Sequence, residues 1–224
     1  MHIVHDTTAI KDRADRYEFL KRHFEKEIKE ATSILDVGCD DNFLKQIYGD
    51  KVFGIDIGGK PDRVVDLEKE SLRFLADKSY DLSICTEVLE HIDNLHEVFR
   101  DIQRVTNRYM IISIPNSISY HRLNKIYKTH RTGKFYGLPL EKPVDRHKWY
   151  FSYREIVDFF TGHEKAGTYT IERVIYQYPI RYNEETRFLK KLKQSIIAAV
   201  VTSLGLKRHS SSVFVLLRAT QHES

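Results

Sequence analysis

The run Ser33-Ile34-Leu35-Asp36-Val37-Gly38-Cys39-Asp40-Asp41-Asn42-Phe43-Leu44 decides how the rest of the chain is read. Ile34, Leu35 and Val37 form a short β-rich apolar run that stops at Gly38. A polar turn follows, and apolar residues resume at helical spacing from Phe43 to Ile47. Strand, turn and helix in that order make a βα unit. In an open parallel sheet, ligands bind beyond the carboxyl ends of the strands, and a glycine at the bend lets the backbone approach them closely. Such a glycine is also an ordinary turn residue, so the unit alone leaves both roles open.

The segments that follow repeat the theme. Lys51 to Ile57 (Lys-Val-Phe-Gly-Ile-Asp-Ile) reads as a second strand ending in Asp56, placed where a carboxylate accepts hydrogen bonds from two ribose hydroxyls. After the turn Gly58-Gly59-Lys60-Pro61, a short third strand runs from Arg63 to Leu67, and a fourth from Tyr80 to Cys85. The fifth lies within Asn107 to Asn116 and stops at Pro115; its near-continuous apolar run suits a strand covered on both faces. Helical periodicity marks Lys11 to Ala31 (Tyr17, Leu20, Phe24, Ile28) and the stretch carrying Leu95, Val98, Phe99, Ile102 and Val105. Strands alternating with helices call for a parallel sheet with right-handed crossovers.

Three motifs occur in order: Ile-Leu-Asp-Val-Gly-Cys (Ile34 to Cys39), Gly-Ile-Asp (Gly54 to Asp56) and Tyr-Asp-Leu-Ser-Ile-Cys-Thr-Glu-Val-Leu-Glu-His-Ile (Tyr80 to Ile92). Together they resemble the class I S-adenosylmethionine-dependent methyltransferases over residues 31–116. The resemblance implies an α/β fold with a doubly wound, mostly parallel, seven-stranded Rossmann-like sheet, and S-adenosylmethionine as cofactor. It implies a cofactor site built from Asp36, Gly38, Cys39, Asp40, Asn42, Asp56, Ile57, Asp66, Leu67 and Glu87. Asp56 would hold the ribose and the Gly38 to Asn42 turn the methionyl tail. Asp66 would meet the adenine amino group, with Leu67 over the ring, although an aspartate there also serves as a helix cap. Arg13 or Tyr17 would reach the methionyl carboxylate, or their helix only packs.

The departure from the family pattern is in the loop, where glycines are usual and this chain has Asp40 and Asn42. These side chains tolerate a left-handed backbone at a cost of about 1–2 kcal/mol each, so the turn can still form. Asp40 would either pair with the donor's ammonium or repel its carboxylate. An altered loop also raises an alternative reading, a non-catalytic binding or scaffold protein on the same fold.

The acceptor end of the site falls on Thr86 to His91. If this stretch is helical, Glu87 and His91 stand four apart on one face and present an acceptor and a base; alternatively Glu90 and His91 only cap the next helix. Residues 117–150 exceed the minimal fold and are rich in aromatic and hydrogen-bonding groups, with Pro139 and Pro143 stiffening a loop. A long loop of this kind is read as a substrate cover, with Tyr136, Asp145, Arg146 and Trp149 as substrate-binding residues. His147, oriented by Asp145, is the candidate general base, with His91 and His121 as rivals; the other reading of Asp145-Arg146-His147 is a surface ion pair. No metal is expected. The composition suits a small-molecule, sugar or glycan-precursor hydroxyl as acceptor; it fits nucleotides or a phosphorylated carrier as well, and RNA or a protein side chain stays open as acceptor, although no recognisable nucleic-acid motif is present.

Phe151 to Phe160 reads as a helix capped by Ser152 with Glu155 three residues on, followed by a strand from Tyr169 to Tyr178 and a closing strand from Val213 to Arg218. Between these strands, residues 183–208 carry Arg187, Lys190, Lys191, Lys193, Lys207 and Arg208 around Ile196 to Val201. That pattern fits a helix on an anionic membrane surface, or one packed on the sheet or a partner. With 224 residues, 41% hydrophobic, the chain is expected to be one domain spanning 1–224. A charge of +4 permits an anionic partner without demanding one. Cys39 and Cys85 make no disulfide framework, no run approaches the ~20 apolar residues of a membrane span, and a cytoplasmic location is expected.

Overall fold

The computed structural model describes residues 1–130, 146–178, 196, 199, 200, 203, 204 and 206–220, without the side chains of residues 120 and 121. Among them, strands β1 (His2–Asp6), β2 (Ile34–Val37), β3 (Val52–Asp56), β4 (Arg63–Val64), β5 (Tyr80–Thr86), β6 (Thr106–Pro115), β7 (Tyr169–Gln177) and β8 (Ser212–Ala219) form one sheet. Its order is β1-β7-β8-β6-β5-β2-β3-β4. All neighbours are parallel except β8, which runs antiparallel to both β6 and β7.

The mostly parallel sheet expected from the sequence is present, with one strand more than seven. The extra strand is β1, whose His-Ile-Val-His-Asp is too short and polar to stand out. It is held at the sheet edge by β7 and by His5, which stacks on Tyr176 and Tyr178 with ring centroids 5.5 and 5.7 Å apart. The third expected strand is shorter than Arg63 to Leu67, because Asp66 opens a turn whose carbonyl accepts from the Lys69 and Glu70 amides.

Helices α1 (Arg13–Glu30), α2 (Phe43–Tyr48), α3 (Leu95–Val105), α4 (Tyr120–Thr129) and α5 (Tyr153–Lys165) accompany the sheet, with short 3-10 turns such as Leu89–His91 between elements. Side chains alternate across a strand, and β2 shows what this does to the interior. Ile34 joins Phe19, Leu20, Phe24 and Ile28 of α1 on one face of the sheet. Leu35 and Val37 join Phe99 and Ile102 of α3 and Phe160 of α5 on the other. The sheet is therefore covered on both sides, which is why the buried stretches Leu82 to Cys85 of β5 and Met110 to Ile114 of β6 are mostly apolar.

Local signals set the helix ends. Asp12 accepts from the Asp15 amide to start α1, and Ser152 with Glu155 closes a reciprocal capping box at the start of α5. The insertion after β6 is not all loop: Ser119 caps α4 through the Arg122 amide. Residues 131–145 lie outside the described residues, as does most of 183–208, including Lys190, Lys191 and Lys193. Among the described residues no helix is long and apolar enough to cross a membrane.

Candidate functional site

β2 pairs with β3 on one side and β5 on the other, with Val37 opposite both Ile55 and Cys85. The chain leaves β2 toward β3 and β4 and later returns on the other side as β5, so the sheet order reverses here. Crevices form at such a switch point. A cleft of about 430 Å³ opens at this edge.

Gly38 lines the cleft with φ +80°. A Cβ at that position would come within 2.3 Å of Val88 Cγ2, so both the backbone conformation and the space require glycine. The following turn is left-handed at Asp40 (φ +49°) and Asn42 (φ +56°), as their side chains permit. It is tied to the end of β3, because Asp56 Oδ2 accepts from the Asp40 amide at 2.8 Å and Oδ1 from the Gly58 amide at 3.1 Å. The Asp56 carboxylate is thereby fixed at the cleft wall.

Of the residues that the sequence assigned to a cofactor, Gly38, Asp56, Ile57, Asp66, Leu67 and Glu87 line the cleft. Asp36, Cys39, Asp40 and Asn42 do not; they build its support. Asp36 is buried beneath it, and burial, with the Asp56 charge, pushes its carboxyl up to about 7 against the pull of Arg13. Cys39 is a buried thiol packed beside Gly54, pushed up to about 12 by burial. Asn42 donates to Asp62 Oδ2 at 3.0 Å. Asp40 gives its carboxylate to Arg13, with Nε 2.7 Å from Oδ2. Tyr17 turns its hydroxyl to Tyr48 and its ring to Phe43.

Glu87 and His91 do not share a helical face. Glu87 is left-handed (φ +54°), its amide donates to Ser113 O, and only Leu89–His91 makes a 3-10 turn. Glu87 Oε2 accepts from Arg16 Nη2 at 2.8 Å and Oε1 from Ser212 Oγ at 2.7 Å. Burial opposes ionisation of Glu87, but Arg16 and Ser212 outweigh it and hold the carboxyl below its usual range. Arg16 lines the cleft and was not anticipated, although it lies one helical turn from Arg13, which also lines it.

Residues 146–149 form a strap across the Leu89–His91 turn. His91 Nδ1 lies 2.8 Å from the carbonyl oxygen of Arg146; a carbonyl only accepts, so Nδ1 carries the proton. The Lys148 amide donates to Glu90 O at 2.8 Å, and Trp149 Nε1 to Ile92 O at 2.7 Å. Lys148 Nζ pairs with Asp93 at 2.7 Å and with Glu68. Sequence reasoning missed Glu68 and Lys148, which line the cleft from points 80 residues apart.

The strap also positions two residues that the sequence assigned to the acceptor end. His147 is 3% exposed and does not line the cleft; its ring stands perpendicular to that of His91, centroids 4.8 Å apart. Trp149 uses its indole N–H on Ile92 and stacks on Phe151. His91 and Arg146 do line the cleft. Beneath them Glu90 is fully buried, and neither carboxylate oxygen has a hydrogen-bond partner. Burial, reinforced by the Glu87 charge, pushes its carboxyl well above the usual range. Tyr136, Asp145 and the side chain of His121 lie outside the described residues.

A family model described as a methyltransferase domain matches residues 9–164. No curated protein gives a match. Among solved structures, the chain is similar to a SAM-dependent methyltransferase from Archaeoglobus fulgidus, at 17% identity over 93% of this chain and 95% of that one, with a TM-score of 0.58. It is similar to a protein from Listeria monocytogenes assigned as an S-adenosylmethionine-dependent methyltransferase, at 13% identity over 92% and 96%, TM-score 0.56. It is also similar to the methyltransferase-assigned partner of the Trm112 methyltransferase activator in Haloferax volcanii, at 12% identity over 94% and 96%, TM-score 0.53. At these identities the likenesses concern the fold.

Proposed function

The chain belongs to the methyltransferase-domain family, and from that premise we propose that it uses S-adenosylmethionine to methylate a hydroxyl group on a small-molecule acceptor of sugar or glycan-precursor type. The observation that carries the reading is the Asp56 carboxylate, held by two amides at the wall of a cleft that opens where the sheet order reverses. A carboxylate so placed suits a ribose diol. Gly38 leaves room for close backbone approach, and Asp66 with Leu67 supplies a polar and an apolar group for a base. Arg13 and Arg16 bring positive charge to the same wall and suit an anionic tail. When bound, the donor supplies a methyl group on a sulfonium, already activated for in-line displacement.

The protein's part is alignment and exclusion of water. His91 and Arg146 line the acceptor side of the cleft and are suited to orient a hydroxyl. The Lys148 clasp to Glu68 and Asp93 holds the strap against the turn that bears His91. The test is calorimetric titration with S-adenosylmethionine and S-adenosylhomocysteine, followed by a screen of hydroxyl acceptors with a labelled methyl group. Saturable binding and label transfer to a hydroxyl support the reading; no binding at millimolar ligand overturns it.

A further inference from the structure

Glu90, His91 and His147 each direct one donor atom into a common space, with all three atoms within 4.8 Å of one another. The sequence reading expected no metal, and Glu90 and His91 are adjacent while His147 is 56 positions further on; only the strap unites them. We infer that this cluster binds a divalent transition-metal cation.

Two independent observations point to a ligand. The first is Glu90: fully buried, with neither oxygen hydrogen-bonded. A buried carboxylate without hydrogen-bond partners is costly, and nearby Arg16 is already engaged with Glu87. The second is the tautomer of His91. With its Nδ1–H given to Arg146 O, the ring turns Nε2 toward Glu90, 3.7 Å from Oε1. A ligating histidine is oriented in this way, by a carbonyl that takes the other ring N–H.

The donor set narrows the ion. Two imidazoles and one carboxylate suit Zn²⁺, Mn²⁺ or Co²⁺, whereas Mg²⁺ and Ca²⁺ prefer all-oxygen sites. Three protein ligands leave positions for water or a substrate oxygen. Because His91 also lines the cleft, an oxygen entering there approaches the ion. On the methyl-transfer reading, that oxygen belongs to the acceptor. The cation binding itself does not depend on that reading.

The full chain, treated with chelator and exchanged into metal-free buffer, is titrated calorimetrically with Zn²⁺, Mn²⁺ and Mg²⁺ alone. One equivalent of Zn²⁺ or Mn²⁺ is expected to bind, with Mg²⁺ at least tenfold weaker. Glu90→Gln and His147→Gln are each expected to weaken binding at least tenfold at an unchanged melting temperature. Should either variant fail to fold, the wild-type Co²⁺ complex decides, since two histidine ligands give paramagnetically shifted imidazole N–H resonances. Absence of saturable binding by the wild type, undiminished affinity in folded variants, or a Co²⁺ complex without shifted imidazole signals overturns the inference. No methyl donor enters the titration, so this failure is separable from failure of the methyl-transfer reading.

Discussion

Arg13 Nε lies 2.7 Å from Asp40 Oδ2, so the residue that stands where the family usually has a glycine is neutralised by the helix that precedes the first motif strand. Asp40 was expected either to attract the donor's ammonium or to repel its carboxylate. The ion pair offsets part of the repulsion, and it engages the Arg13 guanidinium. Both partners are partly exposed, which limits what the pair adds to stability.

Asp40→Gly follows from that relationship. Glycine accepts the φ of +49° without strain, and Arg13 is released toward the cleft. Affinity for S-adenosylmethionine is expected to rise by several-fold in calorimetric titration. A tenfold loss would show that the Asp40 carboxylate itself binds the donor.

Asp56→Asn keeps the shape of the side chain but removes the charge that accepts hydrogen bonds at the cleft wall. Charge-assisted hydrogen bonds contribute about 1.5–3 kcal/mol, so donor affinity should fall roughly 10- to 100-fold. The Asp40 and Gly58 amides retain an acceptor at only one of two atoms, and a modest drop in melting temperature accompanies the change. Unaltered affinity would remove Asp56 from the site.

Gly38→Ala meets two costs, a left-handed backbone and a methyl group 2.3 Å from Val88 Cγ2. Together these should destabilise the fold by about 2–4 kcal/mol in urea denaturation. Adding Val88→Ala is expected to recover the steric part only. Full stability in the single variant would contradict the described turn.

Asp36 gives a pH dependence. Its carboxyl is raised from 3.8 to about 7 by burial and by Asp56, so between those values the folded chain keeps a proton that the unfolded chain releases. Stability from this group therefore falls as pH rises from about 4 to about 7. Denaturation at about pH 5 and about pH 7.5 should show a smaller decline in Asp36→Asn than in the wild type, by about 1–3 kcal/mol. Equal declines would place the proton elsewhere.

Much of this protein is local, and what is local was legible. The apolar run Ile34 to Val37 with its glycine stop, the acid at the end of the next strand, and the Ser152-Glu155 capping box each depend on neighbours in sequence. The left-handed turn at Asp40 and Asn42 also followed from the side chains present. By contrast, β1 exists only because β7 offers it an edge and tyrosines for His5 to stack on. Glu87 sits where Arg16 and Ser212, 71 and 125 positions away, hold its two oxygens, and no helical spacing could report that.

The sequence by itself determined the alternating βα order, the site's edge of the sheet and the acids on it, because periodicity and turn chemistry act over a few residues. Only the tertiary structure decided which of those residues line the cleft and which support it. Chain reversal at β2 and the strap at 146–149 bring distant segments together, so that His147 lies buried beside His91 and Glu90 and does not line the cleft. Burial, charge pairing and hydrogen-bond satisfaction are properties of that assembled neighbourhood, and they assign the roles.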